Sequence, residues 1–176
     1  NLYSMYSFEA LSSCQNLLSS HDVKRFLNRC GNNEDGILGA IFLQATFPGI
    51  AGVYYGDEVG LGGADDPFNR EPFPWNNEES WNKTILEFTK SMIQIKNVNP
   101  IFKYGRFELL DYEENVVIFR RILQDESLIC IVNRDRITND IIIPSNAHSI
   151  DILYGDCEAN LEDGSVKITK NAGDIG

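Results

Sequence analysis

The chain has 176 residues, 43% hydrophobic and 11% aromatic, enough for one domain with a real core or two small ones and too apolar for a disordered chain. Its formal charge of -11, with no basic run longer than Arg120-Arg121, excludes a phosphate backbone as partner. No apolar run approaches the ~20 residues that cross a bilayer, and Asn1 to Ala10 does not read as a signal peptide, so neither nucleic acid nor membrane is expected and a cytoplasmic location is.

Leu2, Met5, Tyr6 and Ala10 are spaced as the tail of an amphipathic helix. Cys14 to Ser20 reads as a short buried strand. Asn32 and Asn33 are candidate N-caps for a helix carrying Ile37, Leu38, Ile41, Phe42 and Ala45 on one face and stopped by Pro48-Gly49. Gly52 to Gly56 is a second strand candidate, rich in β-formers and bounded by glycines. A loop without regular structure follows from Asp57 to about Asn77, holding Pro67, Pro72 and Pro74; connections this long are either functional or disordered. Trp81, Ile85, Phe88, Met92 and Ile95 mark one face of a long helix closed by Asn99-Pro100.

Beyond Pro100, six apolar runs are separated by turn clusters: 106–112, 115–123, 127–134, 140–144, 149–154 and 165–169. They predict an antiparallel sheet packed into a sandwich, with the boundary between an α/β part (1–100) and an all-β part (101–176) near residue 100. In the first part the order helix, strand, helix, strand, helix implies parallel strands joined by crossover helices. Two parallel strands cannot cover their own faces and edges, so a partner is expected, either an N-terminal portion or a second copy pairing at the strand edges. The absence of Met at position 1 and the polar ending NAGDIG suggest a piece of a longer protein. Cys14, Cys30, Cys130 and Cys157 have no C-x-x-C spacing and read as reduced core thiols.

Loops that follow parallel strands converge on one face, where ligands collect. His21-Asp22 follows the first strand, while Asp57-Glu58 and the long loop follow the second, so both polar clusters should share a face. The stretch NLLSSHD followed by Arg25 resembles the segment after barrel strand seven in the α-amylase family of glycoside hydrolases. GIAGVYYGDEVGLGGADDPFNREPFPW resembles the strand-eight segment and loop of the cyclomaltodextrinase, maltogenic amylase and neopullulanase branch. The two stretches lie in the family's order and spacing.

The resemblance implies the C-terminal portion of a (β/α)8 barrel, strands seven and eight with their helices, followed by an antiparallel β-sandwich domain. It implies retaining cleavage of α-1,4-glucosidic bonds, with α-1,6 bonds a second class, in cyclodextrins, maltooligosaccharides or pullulan. The family's nucleophilic aspartate and acid/base glutamate follow strands four and five, which this chain does not carry, so the chain alone is expected to be inactive. Asp22 matches the third carboxylate of the family's catalytic site, and His21 a histidine that hydrogen-bonds the same sugar. Asp66 and Arg70 match an acidic residue and an arginine that contact glucose units on the non-reducing side. Phe68-Asn69 between them and Glu71 after them depart from the common pattern.

Other readings stand beside these. Asp22 also fits a helix-start carboxylate, His21 a packed core histidine, and Asp66 with Arg70 a surface ion pair. Asp57 and Glu58, adjacent on a strand, point to opposite faces and suit a structural role; Tyr54 and Tyr55 alternate likewise. Lys24 and Arg25 read as exposed charges, and Trp75 and Trp81 as core or loop anchors. Gly60 to Gly63 lacks the full phosphate-loop pattern, and two histidines with scattered cysteines supply no transition-metal ligand set. No cofactor is expected; calcium in a longer parent is left open. A carbohydrate-binding or interaction module centred on the β-part is the alternative function. A serine hydrolase is disfavoured by the lack of G-x-S-x-G.

Overall fold

A computed structural model of the chain describes residues 5–112, 116–133 and 140–170. Contacts divide it into two units, Asn1–Leu110 with Phe119–Cys130 and Asp111–Ile118 with Ile131–Gly176.

The first unit is organised by a parallel pair, β1 (Gln15–Leu17) and β2 (Ile50–Gly52), with Gln15 opposite Ile50 and Leu17 opposite Gly52. The expected parallel pairing is present, but β2 ends at Gly52, where the expected strand begins. Beyond Gly52 the chain leaves the ladder, and the carbonyl of Tyr55 accepts a hydrogen bond from Arg25. Leu17 and Ile50 stay 52% and 58% exposed, as strands with one neighbour require. A preceding helix, α1 (Phe8–Ser12), is capped by Ser7 and buries no side chain, and residues 1–4 of the expected helix lie outside the described residues.

Two short helices and two long ones complete the unit. Helix α2 (Phe26–Arg29) is followed by α3 (Glu34–Thr46), which starts where the Asn33 side chain accepts from the Gly36 amide. Glu34 and Asp35 in its first turn complement the helix dipole. Gln44, buried on α3, donates at 2.8 Å to Asn16 O and at 2.8 Å to Gly52 O and so ties the helix to both strands. Helix α4 (Lys83–Val98) starts at Asn82, whose Oδ1 accepts from Ile85 N at 3.0 Å and whose Nδ2 donates to Glu34. It buries Ile85, Phe88, Thr89 and Met92, and packs on α3. Asn99 is extended because Pro100 disfavours helical backbone before it, and α5 (Ile101–Tyr104) follows.

The segment between β2 and α4 is more ordered than its composition suggests. It contains three single-turn 3-10 helices, Asp57–Val59, Phe68–Arg70 and Glu78–Ser80, and Asn82 N donates to Val59 O at 3.0 Å, joining its two ends. Strands β3 (Arg106–Tyr112), β4 (Val116–Leu123) and β5 (Glu126–Asn133) form a sheet in that order. Phe47, Phe107 and Phe119 meet with ring centroids 4.8 to 5.3 Å apart. The expected turn at 113–115 lies outside the described residues.

In the second unit β6 (Ile141–Pro144), β7 (Cys157–Glu162) and β8 (Ser165–Lys170) form an antiparallel sheet of order β6-β8-β7. Asp163-Gly164 closes the β7-β8 hairpin with Gly164 at φ +74°, the left-handed conformation such two-residue turns favour. Ile143 faces Val166 and Ile141 faces Ile168, and Ile143, Val166 and Ile168 are buried. The expected strand at 149–154 is absent. Ile152 and Leu153 remain exposed, and the second strand paired to β8 is instead Cys157–Glu162, a run whose alternation is apolar on one face only. The cysteines are not all core: Cys130 is buried, Cys30 and Cys157 half-buried, and Cys14 exposed. Burial pushes the Cys130 thiol up to about 12. Among the described residues no helix is long and apolar enough to cross a membrane.

Candidate active site

His21 and Asp22 sit in the turn after β1, beyond the hydrogen-bonded part of the strand. Helix α2 does not begin until Phe26, and its first amide bonds to Ser19 Oγ at 2.9 Å. Asp22 therefore does not serve as a helix cap. Its carboxylate lies 3.3 Å from His21 Nε2, with both side chains about two-thirds exposed, at 65% and 71%. His21 is likewise no packed core histidine.

The long loop returns to this turn. Arg70 donates from Nε to the carbonyl of His21 at 3.0 Å and lies 3.2 Å from Asp66 Oδ1. Among the described residues its two terminal amino groups make no hydrogen bond, so a planar, charged donor pair remains for a ligand. Asn69, 1% exposed, donates from Nδ2 to His21 O and to Val23 O, each at 3.0 Å. Lys24 pairs with Asp65 at 3.2 Å. His21, Asp22, Asp66 and Arg70 are thus gathered on one rim, at the carboxyl ends of two parallel strands, and an open cleft beside Asp22 is bordered by Val23, Lys24, Arg29 and Asp65. This grouping holds two carboxylates, an imidazole and a guanidinium, a donor and acceptor set that matches the paired hydroxyls of a sugar.

Beneath the rim lies a buried group that the sequence does not advertise. Arg25, expected as an exposed charge, is fully buried. Its guanidinium carbon sits 4.3 Å and 4.6 Å from the ring centres of Tyr54 and Tyr55, its Nη1 donates to Tyr55 O, and it is 3.6 Å from Asp57 Oδ1. Tyr54 and Tyr55 do not alternate across a strand. They lie beyond β2, with rings 4.7 Å apart, and both cover Arg25. The signal for this burial is nonlocal, two adjacent tyrosines thirty residues downstream, where a cation gains from aromatic faces.

Asp57 is held by Ser19 Oγ at 2.9 Å and by Arg25, and Glu58 accepts from Gly56 N at 2.7 Å, so neither carboxylate joins the exposed rim. Burial pushes the Asp57 carboxyl up to about 6, against the opposing pull of Ser19 and Arg25. A raised value means the folded chain holds this proton where the unfolded chain has released it. The resulting stability is complete below about pH 4 and lost as pH rises through 6, a term of roughly 3 kcal/mol. Denaturant titrations at pH 4 to 7 should show this fall in the native chain relative to Asp57→Asn; identical pH slopes for the two would refute it.

Trp75, expected as an anchor, is 73% exposed and touches Phe73 at 4.3 Å between ring centres, while Trp81 donates from Nε1 to Pro74 O at 3.2 Å. Among the described residues no group of three or more His, Cys, Asp or Glu is placed to hold a metal ion.

Known proteins carry the same frame. The α-amylase catalytic-domain profile matches residues 4–99. Neopullulanase 2 of Thermoactinomyces vulgaris is 32% identical over 94% of the chain, which spans 29% of that protein. Cyclomaltodextrinase of Thermoanaerobacter pseudethanolicus is 40% identical over 67% of the chain and 20% of its own length. The crystal structure of a debranching enzyme from Nostoc punctiforme superimposes with a TM-score of 0.85 at 28% identity, covering 99% of this chain and 37% of that one. The chain thus spans about a third or less of the length of these relatives. With more than half of its residues inside the catalytic-domain profile, and a rim built where that domain's parallel strands end, the chain belongs to the α-amylase family.

Proposed function

We propose that the chain is the part of a retaining α-glucan hydrolase that carries barrel strands seven and eight, residues 1–100, and its terminal antiparallel β-sandwich, residues 101–176. The enzyme cleaves α-1,4-glucosidic bonds, with α-1,6 bonds as a second class, in cyclodextrins, maltooligosaccharides or pullulan. Asp22 stabilises positive charge that develops on the cleaved sugar, where a fixed carboxylate acts most strongly in a water-poor cleft. His21 donates to the same sugar. Asp66 accepts from paired hydroxyls of the next glucose unit, and the terminal amino groups of Arg70 donate to it. The nucleophile and the acid/base come from strands four and five of the parent, so the chain alone binds glucan without cleaving it.

The observation that carries this reading is the bond from Arg70 Nε to the His21 carbonyl, which unites the two sugar-binding stretches on one rim. The kinship with neopullulanase and cyclomaltodextrinase supports it, as does the match to the Nostoc debranching enzyme soaked with acarbose, at 27% identity and a TM-score of 0.80. A cytoplasmic location belongs to the same reading, supported by 36% identity over 72% of the chain to the intracellular maltogenic amylase of Bacillus subtilis.

Calorimetric titration of the chain with maltoheptaose tests it. Binding should weaken about tenfold in Asp22→Asn, Asp66→Ala and Arg70→Ala, without release of shorter sugars. Binding indifferent to all three substitutions points instead to a module centred on the β-part, and measurable hydrolysis refutes the division of catalytic groups. Light scattering on the same samples reads association through the exposed edges of β1 and β2; a monomer at every concentration excludes it.

A further inference from the structure

We infer that Asn69 is a positioning residue, whose side-chain amide clamps the backbone on both sides of Asp22 and so fixes where that carboxylate points. This inference rests on the glucan-binding reading of the rim. Asn69 is one of the departures from the family's common pattern noted in the sequence, with Phe68 and Glu71, and at 1% exposure it is among the most buried polar residues described.

Its Nδ2 lies 3.0 Å from His21 O and 3.0 Å from Val23 O, the carbonyls flanking Asp22. The orientation of the amide is dictated by its surroundings. Turned over, it would aim an acceptor at two acceptors, and His21 O would keep only its bond from Arg70. As oriented, its Oδ1 is buried and has no hydrogen-bond partner among the described residues. An amide that leaves its own acceptor unpaired in order to serve two carbonyls is placed for its donors. The His21 carbonyl receives a second donor from Arg70 Nε at 3.0 Å, so one oxygen is gripped by consecutive residues of the loop.

The loop can approach so closely because residue 63 is glycine. A β-carbon there would lie 2.5 Å from Phe68 O and 2.9 Å from Asn69 Cα. Gly63 O in turn accepts from Arg25 N at 3.0 Å, just past the clamped turn. The His21-Asp22 turn is therefore bracketed by loop residues before and after the carboxylate, and Asn69 is the member that touches both of its sides.

The rival role for a buried side chain of this size is to fill space. Asn69→Leu keeps the volume without the donors, and Asn69→Asp keeps the shape but faces both carbonyls with a carboxylate. In the native chain, NMR should detect couplings across hydrogen bonds from Asn69 Nδ2 to the carbonyl carbons of His21 and Val23. Both variants should average the Asp22 side-chain conformers, speed amide exchange at residues 21–23 at least tenfold, and weaken maltoheptaose binding about tenfold. Asn69→Leu combined with Asp22→Asn should bind no worse than Asp22→Asn alone, because the clamp acts through Asp22.

Missing couplings in the native chain, or a variant pair in which Asn69→Leu leaves residues 21–23 unchanged, overturns the inference. The native couplings decide it even where a variant does not fold. Couplings present together with no maltoheptaose binding by any variant or by the native chain would leave the clamp intact and remove the glucan reading instead.

Discussion

Replacing Arg25 by methionine should destabilise the first unit by about 3–5 kcal/mol, read as a shift in the urea midpoint. Methionine fills most of the volume, so the loss reports charge and hydrogen bonding. The guanidinium is fully buried, lies over the rings of both Tyr54 and Tyr55, and donates to Tyr55 O while facing Asp57 at 3.6 Å. Without it Asp57 is a buried carboxylate served by Ser19 alone, and removing one member of a buried pair costs more than removing both. Adding Asp57→Asn to Arg25→Met should therefore recover about 2 kcal/mol. Lysine in place of Arg25 should rescue little, because a compact ammonium cannot cover two aromatic rings as a planar guanidinium does. A midpoint for Arg25→Met within experimental error of the native chain would show that the pair contributes nothing.

A comparable loss is expected for Arg121→Met, about 4 kcal/mol, from a different cause. Arg121 is fully buried and donates to three carbonyls: Thr46 O at 2.7 Å, Phe102 O at 3.0 Å, and Gly105 O at 2.8 Å. Thr46 ends α3, where the dipole favours a cation, and Lys96 donates to Ala45 O and Phe47 O at the same end. Burial, aided by the Arg121 charge, brings the Lys96 ammonium down to about 8. Loss of Arg121 leaves carbonyls of α3 and the α5 turn unpaired in an apolar setting. Hydrogen exchange should rise first in the last turn of α3 and around Gly105. Unchanged exchange there would mean that the carbonyls find other donors, and Arg121→Lys should fall between the two, keeping charge but losing two of the fork's bonds.

Much of the frame was legible in the residues. The parallel pairing, the helix carrying Ile37 and Ile41, the long helix ended by Asn99-Pro100, and the Asn33 cap all followed from local periodicity and capping chemistry. The rim was legible in part: the prediction that His21-Asp22 and the long loop share a face is met by the contact of Arg70 with His21. What stayed hidden depended on distant partners. Arg25 lies in a run of charges, and only the Tyr54-Tyr55 pair, folded back from beyond β2, takes it out of water. Asn69 reads as a loop asparagine until its carbonyl partners 46 and 48 residues away are seen. The strand at Cys157–Glu162 escaped because glutamates and an asparagine fill its outward positions, whereas the apolar residues near Ile152 promised a strand that does not form.

The bond from Asn82 to Val59 gives the intervening stretch the character of a cassette. Its two mouths are stitched together, so α4 receives the chain at the same place whatever length or composition lies between. Doubling such a closed insert adds only about 0.6 kcal/mol of closure entropy. The loop side of the rim can thus be rebuilt by exchanging this one stretch, while the helix that follows it keeps its seat.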